Sequence, residues 1–348
     1  IEVFKKNNIP FREFNINDFS EEVLGELFSF FMLETSLIGN LAKINPFNQP
    51  ELIKAEVFTE LPEKYRDTRQ TAWSNPNRQG AKVYQFLEGP SFDRKGNLYV
   101  TDIPFGRIFK ISPDGEWDIV CEYDGWPNGL KFHKDGSAYI ACYKQGLMKL
   151  DVNSGSIEPI IETMYSEGFK GLNDLHFTSN GDLYFTDQGQ TGIIDPTGRV
   201  FRLTASGELH KLVTNAPSPN GITVNNSENQ VYVAITRSQQ IWRLPLMADN
   251  SVSKSGVAIQ LSGGHAGPDG LEMDSEDGMI VNHLGVGVWR FDSNCLPTHL
   301  IYTDNHSLMT NTAFGGPDRK TLYITDSMNG RIMRASLPVA GKLLYGLS

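Results

Sequence analysis

Six oxygen-bearing side chains recur along the chain at a near-constant interval. Glu88, Asn128, Asn173, Asn220, Asp269 and Asn311 are separated by 40, 45, 47, 49 and 42 residues. Carboxylate and amide oxygens with no thiol or imidazole among them are hard donors, suited to Ca²⁺, Mg²⁺ or Mn²⁺. If the fold gathers them at one point they cannot be buried there alone, because an unpaired carboxylate out of water costs several kcal/mol. A divalent cation is the economical partner. The competing reading is that Asn-Gly and Asp-Gly pairs are ordinary turn signals. Glu88-Gly89-Pro90 is no such signal, and six polar residues at one spacing are hard to obtain from turns alone.

The elements that must position these residues repeat with the same period. Each residue opens an alternating strand, as in Asn128-Gly129-Leu130-Lys131-Phe132 and Asn220-Gly221-Ile222-Thr223-Val224. A polar turn follows, then a β-branched and aromatic strand such as Leu98-Tyr99-Val100-Thr101-Asp102 or Leu183-Tyr184-Phe185-Thr186-Asp187. A period of this length is one four-stranded propeller blade, so the chain is expected to be all-β, a six-bladed β-propeller over residues 56–348. The sixth copy runs short of a fourth strand, and Glu56-Val57-Phe58-Thr59 is expected to supply it and close the ring. Innermost strands line the axis, which puts the six residues at one rim of the channel. The second strands end at that rim, so Asp102, Asp187, His283 and Asp326 should orient ligands, meet substrate, or bond neighbouring loop amides.

Glu88-Gly89-Pro90, Asn173-Asp174, Ser218-Pro219-Asn220-Gly221 and Pro268-Asp269-Gly270 resemble, in this order, the elements of the regucalcin and gluconolactonase family. The resemblance runs from about residue 56 to the C-terminus and implies a metal-dependent propeller that opens small lactones of sugar type. Carried over by position, it makes Glu88, Asn173, Asn220 and Asp269 the ligands of one divalent ion. Ca²⁺ stands first, with Mg²⁺, Mn²⁺ or Zn²⁺ as alternatives. Asp269 would also be the general base, and the ion a Lewis acid on the ester carbonyl. Asn128 would touch substrate, with Asn311, Asp187 and His283 completing the substrate-contacting set. The regucalcin members carry an arginine two positions before the asparagine equivalent to Asn173. This chain has Gly171 there, with Lys170 one residue away. His265, four residues before Asp269, either assists proton transfer or packs its loop. The glycine-bearing loops 188–196 and 262–268 are the expected specificity elements.

Residues 1–55 read differently. From Asp18 to about Ile44 the pattern is helical, with capping-box spacing between Asp18 and Glu21 and apolar residues such as Val23, Leu27, Phe31, Ile38 and Leu41 near helical period. Phe31-Met32-Leu33-Glu34-Thr35 through Asn45-Pro46-Phe47-Asn48-Gln49-Pro50 resembles the C-terminal end of bacterial glucose-6-phosphate isomerases, without the sugar-phosphate-binding bulk of such enzymes. The expectation is a short helical extension that packs its stripe on the propeller or on a second subunit, giving a homo-oligomer.

A formal charge of −10 excludes nucleic acid as a natural partner. Three scattered cysteines, Cys121, Cys142 and Cys295, form no disulfide framework. No apolar run of membrane length and no signal-peptide order appear, so a cytoplasmic protein without a membrane partner is expected. Two other functions compete with lactone hydrolysis: organophosphate triester hydrolysis at the same site, and a non-catalytic metal-binding scaffold.

Overall fold

The computed structural model describes residues 14, 16, 20–42, 50–303 and 306–348. The chain divides into two compact units, 1–49 and 50–348.

In the larger unit the repeat becomes six antiparallel sheets, blades 1 to 6, spanning 87–122, 127–161, 172–216, 219–260, 267–302 and 309–336. Each first strand packs against the first strands of the neighbouring blades, and the sixth returns to the first. Apolar clusters fill the seams between blades. Tyr99 and Ile108 of blade 1 meet Leu130 and Ile140 of blade 2, and Leu87 and Val100 meet Ala313 and Ile332 of blade 6. Blade 6 lacks an outer strand of its own. Glu56–Glu60 supplies it, pairing antiparallel with Arg331–Ser336 in the register Glu56↔Arg334 and Val57↔Met333. Just before it, Glu51–Lys54 pairs parallel with Pro297–Tyr302 and adds a fifth strand to blade 5.

Both ends of the channel are covered in part by segments outside the blades. At the end away from the six residues, Tyr345 packs its ring 5.1 Å from His133 and 5.4 Å from Phe177. Gly346 lies so close to Phe132 that a Cβ there would fall 2.5 Å from the phenylalanine backbone. At the rim end, residues 69–83 form a compact excursion closed by an Arg69↔Val83 bridge and carrying the short helix Ser74–Asn77. Trp73 anchors it against Phe86, with ring centroids 4.9 Å apart.

In the N-terminal unit a helix runs from Glu21 to Ala42. The Ser20 hydroxyl accepts from the Val23 N–H at 3.3 Å, supplying the cap. Asp18 and Ile44 lie outside the described residues. Phe14, Phe30 and Phe31 form an edge-to-face cluster, while Phe28, Leu33 and Leu37 are exposed. No described helix is long and apolar enough to cross a membrane.

Candidate metal centre and active site

Every first strand breaks its ladder where the candidate residue sits. The register shifts between Glu88 and Ser91, Pro127 and Leu130, Leu172 and Leu175, Pro219 and Ile222, Pro268 and Leu271, and Met309 and Asn311. A bulge re-aims a side chain that would otherwise enter an interblade seam. All six residues are buried. Gly89, Gly129, Gly221 and Gly270, each directly after a candidate residue, explain how these strands come so near: a Cβ on Gly221 would lie 2.3 Å from the Asp269 carbonyl oxygen. The Asn-Gly and Asp-Gly pairs are therefore strand residues under close approach, not turns.

The structure sets Asn311 and Thr310 beside Glu88 and Asn220 beside Asp269, and the two carboxylates lie near enough to feel each other's charge. The Glu88 carboxylate accepts from the Gly89 N–H at 3.1 Å. Burial, opposed by hydrogen bonds from the Gly89 N–H and Asn311, raises Glu88 to about 7. Burial and the nearby Glu88 charge raise Asp269 well above the usual carboxylate range, with Arg237 acting in the other direction. Asp174 adds a third buried carboxylate, raised to about 6 by burial against the lowering effect of Lys131. Lys131 is itself bonded to Glu272.

One amide is oriented by what its NH₂ group bonds. Asn173 donates to Gln188 Oε1 at 2.9 Å, and Gln188 in turn donates to Ser218 Oγ at 2.9 Å. Asn173 thus spends a donor on protein, leaving its oxygen as an acceptor. Asn311 differs, since its Oδ1 already accepts from the Thr312 N–H at 2.7 Å. Two carboxylates and two amide oxygens, buried together with raised carboxyl pKa values, fit a hard divalent cation. Among the described residues no group of three or more His, Cys, Asp or Glu side chains is placed to hold a metal ion, so a cation here would depend on the amide oxygens.

A supporting shell comes from Thr-Asp pairs ending the second strands. Thr101 and Thr186 donate to the carbonyls of Asn128 and Asn220 in the next blade, both at 2.7 Å. Asp102, Asp187 and Asp326 each accept from a backbone N–H of their own blade, those of Phe86, Gly171 and Leu308, at 2.8, 2.8 and 3.0 Å. Each also holds an arginine: Arg107, Arg199 and Arg331. Asp187 is fully buried at the start of loop 188–196. His283 is buried too, with Nε2 3.2 Å from the Gly263 carbonyl in loop 262–268 and Nδ1 accepting from Trp289 at 3.3 Å. Asn128 reaches the rim but its side chain joins none of these bonds. His265 packs beside Gly285.

Residues 86–328 match the model of the family described as SMP-30/Gluconolactonase/LRE-like region. The chain belongs to this family. Its similarity to the lactonase drp35 of Staphylococcus aureus strain MRSA252 is 31% identity over 237 residues, 63% of this chain and 69% of that protein. A gluconolactonase from Xanthomonas campestris shares the fold at TM-score 0.66 and 20% identity, covering 81% of this chain and 99% of that one. A calcium-binding regucalcin from Agrobacterium tumefaciens does so at TM-score 0.68 and 20% identity, covering 85% and 98%.

The carboxylate pair of this SMP-30/gluconolactonase-like propeller has a consequence for its metal-free form. Below about pH 3.8, the lower of the two ordinary carboxylate values, folded and unfolded chains both hold the protons, so the pair carries no penalty. Above it the unfolded chain ionises freely while the buried pair resists. Stability should therefore fall as pH rises from about 3.8 through 7. Thermal melts in chelator across that range should show this decline, and it should vanish in the double variant Glu88→Gln, Asp269→Asn. A melting temperature that rises steadily through the window in wild type would contradict it.

Proposed function

We propose that the protein is a metal-dependent lactonase acting on a small, sugar-type lactone at the channel rim. The observation that carries this reading is the buried Glu88 and Asp269 pair with buried amide side chains at the same rim, in a chain whose family includes lactonases. Glu88, Asn173, Asn220 and Asp269 would hold the ion, Ca²⁺ foremost. When bound, a divalent ion supplies Lewis-acid polarisation of an ester carbonyl.

The chain's own residues do the rest. Asp269 accepts a proton from water as the water oxygen bonds to the lactone carbonyl carbon. The ring C–O bond then breaks and its oxygen takes that proton back from Asp269, giving the hydroxy acid and restoring the carboxylate. Asn128 and Asn311 face the lactone from the rim. Asp187 and His283 act on substrate through the loops they anchor, 188–196 and 262–268, which shape the mouth. Organophosphate triester hydrolysis and a metal-binding scaffold would use the same donors. The second carboxylate favours turnover, because a scaffold needs no base.

The test is acid release from aldonolactones and simple γ- and δ-lactones with Ca²⁺, Mn²⁺, Mg²⁺ or chelator. Turnover that requires a divalent ion is the expected result. Tight metal binding with no lactone hydrolysed, or hydrolysis unaffected by chelator, would overturn it.

A further inference from the structure

Two arginines stand at the rim beside the buried carboxylates and take no part in the supporting shell. Arg78 closes the helix Ser74–Asn77, and its guanidinium carbon lies 4.8 Å above the ring of Phe86, two residues before Glu88. The excursion that carries it is tied down across the mouth. Asn77 Oδ1 accepts from Gln190 at 3.3 Å, and Gln190 donates to the Tyr143 hydroxyl at 3.0 Å. Arg237 sits on the turn Thr236–Ser238 of blade 4. That turn is fixed beside two of the ligand positions: Thr236 donates through its hydroxyl to the Pro268 carbonyl at 2.8 Å and through its N–H to the Ser218 carbonyl at 3.1 Å. Arg237 also borders loop 188–196, its Cγ being the nearest atom to Gly192, 3.8 Å from where a Cβ would stand.

Both side chains are exposed. Both act electrostatically on Asp269 or feel it, although burial of the carboxylate is the larger influence on Asp269 and partial enclosure the larger one on Arg78. The other arginines near this rim are committed: Arg107, Arg199 and Arg331 each pair with an aspartate of their own blade. Among the described residues Arg78 and Arg237 are in no such pair.

We infer that Arg78 and Arg237 form an anion clamp at the channel mouth, and that the substrate is a lactone carrying a carboxylate or phosphate outside its ring. This rests on the lactonase reading. A neutral lactone, with its carbonyl over the metal ligands, leaves these two guanidiniums without a substrate partner. An anionic one approaching a protein of net charge −10 needs a local positive field to reach the site. Guanidinium forks match both carboxylate and phosphate oxygens in paired hydrogen bonds. Phe86 under one and the bonded turn under the other keep both cations from collapsing onto Asp269. The ring then points into the channel and the charged substituent outward, between blade 4 and the 69–83 excursion.

The experiment compares kcat/KM for neutral glucono-1,5-lactone with that for its 6-phosphate and for the carboxylate-bearing glucaro-1,4-lactone, in metal-loaded wild type, Arg78→Gln and Arg237→Gln. The charged substrates are expected to exceed the neutral one by about tenfold at low salt, and that ratio should fall towards unity in about 0.5 M NaCl. Each variant should reduce the charged-to-neutral ratio by about tenfold, the scale of one lost charge-assisted hydrogen bond. Which charged lactone shows the larger ratio separates phosphate from carboxylate. A wild-type ratio near one, or a ratio unmoved by both variants, overturns the clamp while leaving the lactonase reading intact. If no lactone is hydrolysed with any metal, that reading falls. Calorimetric binding of 6-phosphogluconate then decides the clamp alone: binding lost in the variants supports it, and no binding to wild type overturns it.

Discussion

Asp269→Asn should abolish lactone hydrolysis, lowering kcat/KM by about 10³-fold or more, while leaving the propeller folded. The size follows from two roles on one side chain. As a general base it is worth about 10²–10⁴, and as one of only two carboxylates in the proposed metal set its loss weakens the ion as well. Asparagine is nearly isosteric and keeps a partner for Asn220. It also removes the like charge that pushes Asp269 and Glu88 apart. The metal-free variant should therefore melt higher than metal-free wild type at pH 7, even as activity disappears. Calorimetric titration separates the two roles, since a variant that still binds metal but does not turn over has lost the base. Activity within tenfold of wild type would remove Asp269 from the mechanism.

Gly221→Ala should damage the site through the backbone. The added Cβ would lie 2.3 Å from the Asp269 carbonyl oxygen and 2.6 Å from the Leu271 nitrogen. Neither atom belongs to a flexible side chain, so the first strands of blades 4 and 5 must separate. Overpacking of this kind costs about 3 kcal/mol, roughly 5 °C of melting temperature in a domain of this size. Because Asn220 and Asp269 lie on the two strands being separated, metal affinity should drop with stability. Gly256→Ala in an outer strand, where nothing lies within 4 Å, is the control. It should stay within about 0.5 kcal/mol of wild type. Equal behaviour of the two variants would show that close strand approach does not hold the rim together.

The blades were legible because period-2 strands and Gly-bearing turns repeat six times, and the rim residues because they fall at one offset in each repeat. The borrowed outer strand Glu56–Glu60 was legible by subtraction, since blade 6 ran one strand short. Glu51–Lys54 was missed: four residues carry too little periodicity to announce a parallel edge pairing. The 69–83 excursion was missed for a related reason, since it is built from single bridges, one helical turn and ring stacking, none of which leaves a repeating pattern. Arg78 was lost with it. Thr101 and Thr186 did leave a signal, the Thr-Asp doublet at the strand ends. Only the aspartates drew notice, because a hydroxyl that bonds a carbonyl one blade away has no counterpart in local sequence. The glycines were half read: turns were set aside as their cause, but the real constraint, a strand about 45 residues further on, leaves no local trace.

The closure of blade 6 bears on how the chain is made. Arg334 Nε reaches Glu56 Oε1 at 2.7 Å across 278 residues of sequence, so the ring cannot close until synthesis has passed the last blade. Blades 1 to 5 can assemble in order behind the ribosome. The Glu56–Glu60 segment must meanwhile wait with its hydrogen-bonding edge unsatisfied, and closing so long a loop is slow. During that interval the nascent protein presents an open curved sheet stack whose free edge can recruit a neighbouring chain. Yield on expression should therefore be limited by this final step, and a permuted chain that starts after Glu60 and ends with it would wait least.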